Sequence, residues 1–375
     1  MFGYRDDELT ARWVQLGVFS PIMRLHSTSS QWMSKEPWLY GIETEECMKT
    51  MLRFRHRLVP YLHTMNVRAN KEGEQLVQPM YWHFSERPEA MRFKNQFYFG
   101  TELLVSPIVS PRDKETRLGG VQTWLPPGRY VDIFTSNVYD GNRIINVYRT
   151  IDHIPVFATE GSIIPLDKDD RPGTGSFNPE RLEILLVVGQ DGKFILREDS
   201  TETGVGGVQF EIIFNQKDGS LSISSAKYAS SHQRTWWLRL LAYDGAQPKN
   251  FTINDKALSS DSITVEGNDT IIPLGSHPVS TSITINMGPN PQLRISNPLP
   301  QIEKMIMGFQ TEFELKRKIW NILVQYGVSI AGKVLQLTSL EMSAAVRSAV
   351  LEAFLADDRV DLDTLDLKKQ TETGK

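Results

Sequence analysis

The stretch "ELTARWVQLGVFSPIMRLHS", residues 8–27, decides how this chain is read. Asp7 and Glu8 precede apolar Leu9, Trp13 and Leu16 at helical spacing, which predicts a short amphipathic helix over 7–16, stopped by Gly17. "VFSPIMRLH", residues 18–26, then predicts a short buried strand whose C-terminal end carries Arg24 and His26, two residues apart and so on one face. Strand ends of that kind are where α/β barrels keep their chemistry. A lone histidine at a strand end is more often structural than ligand-binding, and on the residues alone both readings of His26 stay open.

Moving outward, the loop "STSSQWMSKEPWLYG" (27–41) leads to a helical pattern from Thr44 to about Ala69 that carries Met48, Met51, Leu52, Leu58, Leu62 and Met65. Helix, strand, loop, helix is the repeat of a (β/α) barrel. From about Asn95 the texture becomes short β-rich runs, "QFYFGTELLVSPIV" (96–109) and "GRYVDIF" (128–134), separated by Gly, Pro and Asn turns, which predicts an antiparallel sandwich. "DKDDRPGTGSFNP" (167–179) reads as an interdomain linker. Runs such as "RLEILLVVG" (181–189) and "RTWWLRLLAY" (234–243) predict a second sandwich ending near Gly288. Residues 301–357 alternate apolar and charged positions with helical period, which predicts a small helical bundle.

Composition excludes several functions. Lys and Arg number 41 against 45 Asp and Glu, a formal charge of −4 that draws the chain to neither nucleic acid nor an anionic membrane. Cys47 is the only cysteine, which rules out an internal disulfide or a multi-thiolate zinc site and suits a reducing compartment. No apolar run approaches bilayer length, and "MFGYRDDELTAR" (1–12) has charges where a signal peptide needs an apolar core. A cytoplasmic location is expected if Met1 is the true start; the chain itself reads as beginning inside a domain.

Smaller features have plain readings. Asp6, Asp7 and Glu8 are expected to cap a helix and face its dipole rather than form a catalytic pair. "RFRHR" (53–57) lies within apolar helical periodicity and is read as a solvated face. His56 and His63 lack a third metal ligand, and "GVGG" (204–207) lacks the strand and lysine of a phosphate loop.

At several separated places these segments resemble glycoside hydrolase family 31, whose members include α-glucosidases and α-xylosidases. "ELTARWVQLGVFSPIMRLHS" is similar to the family's E-L-x-x-R-W-x-Q-L-G helix and the F-x-P-x-x-R-x-H that follows it. "MLRFRHRLVPYLHT" (51–64) is similar to the last barrel helix, and "NQFYFGTELLVSPIV" (95–109) to the start of the proximal sandwich. "TWLPPGRYVDIFTSNVYDG" (123–141) and "DHIPVFATEGSIIPL" (152–166) complete that sandwich, and "LREDS" (196–200) is similar to an acidic motif of the distal one.

The resemblance implies α/β plus all-β architecture. The expected order is the C-terminal end of a (β/α)8 barrel with its last strand (1–94), a proximal β-sandwich (95–168), a distal β-sandwich (169–290) and a helical extension (301–375) with no family counterpart. It implies a parent enzyme that is a retaining α-glycosidase, with a saccharide as substrate and no cofactor or metal. Such enzymes need two carboxylates roughly 5 to 5.5 Å apart, in this family within W-x-D and G-D-N motifs on upstream strands. Neither motif occurs here, so no catalytic residue is expected in this chain, and the missing upstream barrel segment becomes an expected partner. A complete barrel takes about 250 residues, which residues 1–94 cannot supply. His26 matches the histidine that hydrogen-bonds a sugar hydroxyl, and Arg24 is read as orienting or balancing a carboxylate. Trp32 and Trp38 are expected to offer sugar-stacking walls, while Trp13 is expected in the core. The other reading is a non-catalytic carbohydrate-binding or scaffolding module.

Overall fold

The computed structural model describes residues 4–170, 178–199, 207–226, 232–245, 251–295 and 297–360. Helix α1 (Asp7–Val18) opens on Asp6, whose side chain accepts from the Leu9 amide and satisfies one of the amides a helix start leaves free. Its buried face carries Ala11, Arg12, Val14, Gln15 and Val18. The stripe of Leu9, Trp13 and Leu16 points the other way, and Trp13, expected in the core, is 62% exposed. Spacing located the helix; it could not tell that two polar residues would turn inward.

The single helix expected over 44–69 is two, α2 (Ile42–Arg57) and α3 (Val59–Glu72), divided at Leu58. Pro60 has no amide to donate into the preceding turn, and its ring clashes with the carbonyl four residues back. The strand expected over 18–26 is not formed. The chain runs through a turn at Ser20 and then extends without pairing, exposed from Arg24 to His26. A barrel strand is held by neighbours on both edges, and no described residue pairs with this segment.

The first strands are β1 (Val77–Pro79), β2 (Phe97–Phe99), β3 (Leu103–Val105), β4 (Gly119–Leu125), β5 (Arg129–Asp132), β6 (Val138–Asp140), β7 (Arg143–Arg149) and β8 (Val156–Thr159). Short helices α4 (Met80–His83) and α5 (Pro88–Arg92) lie between β1 and β2. Six of these strands form a sheet in the order β1-β2-β3-β8-β5-β6, and β4 pairs with β7 in a two-stranded ribbon.

The stretch read as a linker instead joins neighbours in one sheet. β9 (Ile163–Asp167) pairs antiparallel with β10 (Arg181–Leu186), Asp167 opposite Leu182 and Ile163 opposite Leu186. Pro, Gly and Asp mark a strand connection as readily as a domain boundary; residues 171–177 of that stretch lie outside the described residues. Next come β11 (Gly192–Glu198), β12 (Val208–Asn215), β13 (Ser220–Ile223), β14 (Gln233–Leu240), β15 (Thr252–Ile253), β16 (Lys256–Ala257), β17 (Thr264–Glu266), β18 (Asp269–Pro278) and β19 (Ile283–Asn286). They build two sheets, β17-β18-β14-β10-β9 and β11-β12-β13-β19-β15-β16. Their inward side chains, among them Trp236, Leu238, Phe210 and Ile212, belong to one core that continues through Phe99 and Val156 to Met48, Met51 and Val14. Helices α1 to α3 are therefore seated on the sheets.

Helices α6 (Leu299–Gly308), α7 (Phe313–Val324), α8 (Ile330–Ser339) and α9 (Ala344–Phe354) follow. Ile302, Ile306, Ile319, Leu323, Leu337 and Val350 gather in a separate core with Leu118 and Tyr148. Residues 361–375 lie outside the described residues, among which no helix is long and apolar enough to cross a membrane.

Glu183 ties the helices to the sheets. Its side chain is fully buried and meets Arg57 at the end of α2, Lys168 at 2.7 Å and Arg239 of β14 at 3.3 Å. Burial alone would raise this carboxyl, but Arg239, Arg57 and Lys168 outweigh burial and hold it below its ordinary value. Glu183→Gln leaves three cations without their common anion and is expected to cost about 3–5 kcal/mol in urea unfolding at neutral pH. With a depressed folded pKa, the stability Glu183 confers is present above its unfolded value, about 4.3, and is lost as pH falls through the folded one. That acid-induced loss should shrink in the variant. Cys47 reports on the α1–α2 seam: it is fully buried, and burial pushes its thiol up to about 11. Iodoacetamide at pH 8 should leave it unlabelled in native protein on a timescale that labels it completely in urea.

Candidate functional site

Phe19 is the last residue of the N-terminal stretch to enter the core. Its ring meets Phe99 edge-on at 5.5 Å, with Phe54 at 6.1 Å and Phe134 at 6.4 Å. Past the turn, Met23 folds back over α1, where a Cβ on Gly17 would stand 3.3 Å from its Cγ. The segment then bends, the His26 amide donating to the Arg24 carbonyl at 3.1 Å. The Ser27 hydroxyl donates to the Met33 carbonyl and closes the loop on itself.

This path brings Arg24 and His26 to one groove of about 280 Å³, lined also by Thr10, Trp13, Met33 and Lys35. Trp32 and Trp38 are 80% and 68% exposed and do not line it. Trp13 and Lys35 also line the groove; Trp13 was expected in the core because of its helical spacing, and Lys35 was not singled out. The available signal was Arg12 and Gln15, polar residues three apart on the face opposite Trp13. Chemically the groove offers a guanidinium, an imidazole able both to donate and to accept, an ammonium and an indole wall: polar hydrogen-bonding groups beside an aromatic face. No carboxylate lines it.

The acids at the helix start are committed elsewhere. Asp6 caps α1, Asp7 Oδ2 accepts from the Gly41 amide at 2.8 Å, and Glu8 Oε1 accepts from the Arg112 amide at 2.8 Å. The run "RFRHR" is not a solvated face: Arg57 meets Glu183, and His56 Nε2 lies 3.4 Å from Asp167. His63 points instead to Asp199, at 3.6 Å. Residues 204–206 of the "GVGG" turn lie outside the described residues. Among the described residues, potential metal-ligating groups converge at Asp140, Asp357 and Asp358, where Arg129 and Arg359 already pair with the first two.

Comparison with known proteins follows the same segments. Residues 2–65 match the glycosyl hydrolases family 31 TIM-barrel domain, and residues 73–164 match the glycosyl hydrolase family 31 C-terminal domain. The chain is 24% identical over 252 residues to alpha-glucosidase 2 of Bacillus thermoamyloliquefaciens, covering 66% of this chain and 31% of that protein. It is 29% identical over 198 residues to an alpha-xylosidase of Saccharolobus solfataricus, covering 51% and 25%. A Flavobacterium johnsoniae family 31 dextranase, solved in complex with glucose, superimposes with a TM-score of 0.63 at 22% identity, over 75% of this chain and 37% of that one. The chain thus spans between a quarter and a third of the length of these two curated relatives. Residues 2–65 and 73–164 are thus similar to two successive domains of glycoside hydrolase family 31.

Proposed function

We propose that this chain acts within a retaining α-glycosidase that hydrolyses α-glucosides or related sugars, supplying His26 and Arg24 to the sugar site. The catalytic carboxylates are supplied by an upstream barrel segment. In this reading residues 1–94 are the end of a (β/α)8 barrel, the β-sandwich region spans 95–290 with β9 joining the sheet of β10 across the expected boundary at 168, and 301–375 are an extension. The observation that carries it is the groove in which Arg24 and His26 meet Trp13 with no acid beside them.

The uncovered face of α1 supports the same reading. Leu9 is 47% exposed and Trp13 62%, and with Leu16, Pro107 and Val109 they line a further cleft of about 320 Å³. An apolar stripe of this size on a helix already seated by its other face suits a second layer, and the remaining barrel is the layer the family provides. His26 then donates to one hydroxyl of the bound sugar and accepts from another group, contacts that tighten as the ring distorts toward the oxocarbenium-like transition state. Arg24 holds a carboxylate of the completed site in its ionised form. Trp32 and Trp38, outside the groove, bound the sugar's far end from the exposed loop. The cytoplasm is the proposed location, on the strength of the single free thiol.

A second reading, a carbohydrate-binding module without turnover, is favoured by the groove's forming from α1 and residues 24–35 without barrel neighbours. Activity separates the two. Residues 1–375 should not turn over aryl α-glucosides or α-xylosides, and should do so when joined to a family barrel segment bearing both carboxylates. In that joined enzyme His26→Ala should lower kcat/KM roughly 3- to 10-fold, the worth of one neutral hydrogen bond. Turnover by the 375-residue chain alone contradicts the proposal, and saccharide binding without turnover in either form supports the module.

A further inference from the structure

We infer that Arg55 positions the Arg24–His26 segment against Trp13, and so sets the width of the groove; the inference rests on the sugar-site reading above. Arg55 projects from α2 beneath the end of α1. Its Nη1 donates to the Val18 carbonyl at 2.7 Å and to the Ser20 carbonyl at 2.8 Å, and its Nη2 donates to the Pro21 carbonyl at 3.1 Å.

The end of α1 needs such a partner. A helix leaves its last carbonyls without amides and accumulates partial negative charge there. The Leu16 and Gly17 carbonyls are met by the Phe19 and Ser20 amides, both at 3.1 Å. The Val18 carbonyl is left to Arg55, and the last turn of α1 has no basic residue of its own. One planar guanidinium thereby fixes three carbonyls relative to one another, two of them beyond the helix.

The division of work along α2 shows that this is more than fold-holding. Arg57, two residues on, pairs with buried Glu183 and donates to the Asp167 carbonyl at 3.0 Å, gripping the sheets. The hydrogen bonds of the Arg55 guanidinium all go to Val18, Ser20 and Pro21, and among the described residues no carboxylate pairs with it. Among the described residues, Pro21 is also the last point at which a hydrogen bond from another element holds the chain before Arg24. Trp13 rides on α1 itself, whereas Arg24 and His26 ride on the strand of chain that Arg55 holds. Releasing Pro21 and Ser20 changes the separation of the two groove walls and leaves α1 in place. Lysine substitutes only in part, since one ammonium does not span three carbonyls in a plane.

The test is trypsin cleavage after Arg24 in the full chain, followed by mass spectrometry, with thermal unfolding measured in parallel. Arg55→Gln should speed that cleavage about tenfold by opening the segment locally, with little change at other sites, and Arg55→Lys should restore only part of the protection. Arg57→Gln, which removes the neighbouring grip, should lower the unfolding temperature more and leave Arg24 cleavage unchanged. The single His26 ring signal should shift and broaden in Arg55→Gln and not in Arg57→Gln. Equal Arg24 cleavage in Arg55→Gln and the parent chain overturns the inference, as does an equal rise in Arg57→Gln or a parent rate already matching an unfolded peptide. Isomaltotriose added to the parent chain joined to a barrel segment tests the underlying reading separately: failure to protect Arg24 counts against sugar binding there and leaves the positioning result standing.

Discussion

Three backbone carbonyls in the loop between β7 and β8 accept hydrogen bonds from α1, and the placement of the N-terminal helices depends on them. Gln15 Nε2 donates to the Ile151 carbonyl at 2.6 Å, and Arg12 Nη1 donates to the His153 carbonyl at 3.0 Å and the Thr150 carbonyl at 3.4 Å. Both donors are buried, Arg12 at 7% exposure and Gln15 at 1%. Gln15 Oε1 in turn accepts from Arg12 at 3.1 Å. The Ile151 carbonyl is buried and those of Thr150 and His153 are partly so; covered carbonyls in an irregular loop must find donors, and a helix supplies them by turning polar residues inward. α1 therefore seats on a mixed face, Arg12 and Gln15 beside Ala11, Val14 and Val18, and leaves Leu9, Trp13 and Leu16 on its other side.

The same device recurs at each seam of the molecule. Arg149 Nη2 lies 2.7 Å from Asp132 in the first sheet and Nη1 lies 3.3 Å from Glu352 on α9, while the Tyr139 hydroxyl donates to Glu352 at 2.6 Å. Burial pushes the Glu352 carboxyl up and Arg149 opposes the push. Across the two later sheets, Arg234 of β14 pairs with Glu198 of β11 at 3.0 Å, both nearly fully buried. Buried ion pairs of this sort specify which surfaces meet more than they add stability; the apolar core beneath them supplies the driving force. Each layer is thus addressed to one partner layer by a cation and its acceptors.

Much of the fold was legible where local chemistry decides it. The acids at the start of α1, the helical period of residues 301–357, and the β-rich alternation after Asn95 all correspond to observed elements. What was illegible depended on distant partners. The strand expected over 18–26 needs barrel neighbours to form a ladder, and its apolar residues alone could not make one. The stretch at 167–179 has linker composition, but only the pairing of β9 with β10 shows which elements it joins. The "RFRHR" run looked solvated because the carbonyls that take Arg55 and the carboxylate that takes Arg57 are remote in sequence. Arg24 and His26 were singled out by a resemblance to a family motif, whereas the place of Trp13 at the same groove required knowing which face of α1 is buried.

The central claim is that α1 belongs to the sheets through Arg12 and Gln15, so that the segment after it is presented from a rigid base. Native-state hydrogen exchange of the full chain tests this most directly. The amides of Ala11 to Val18 should exchange as slowly as those of β10 and β14, opening with the same cooperative unit. Exchange of α1 at the rate of an unstructured peptide, with β10 and β14 still protected, would contradict the account.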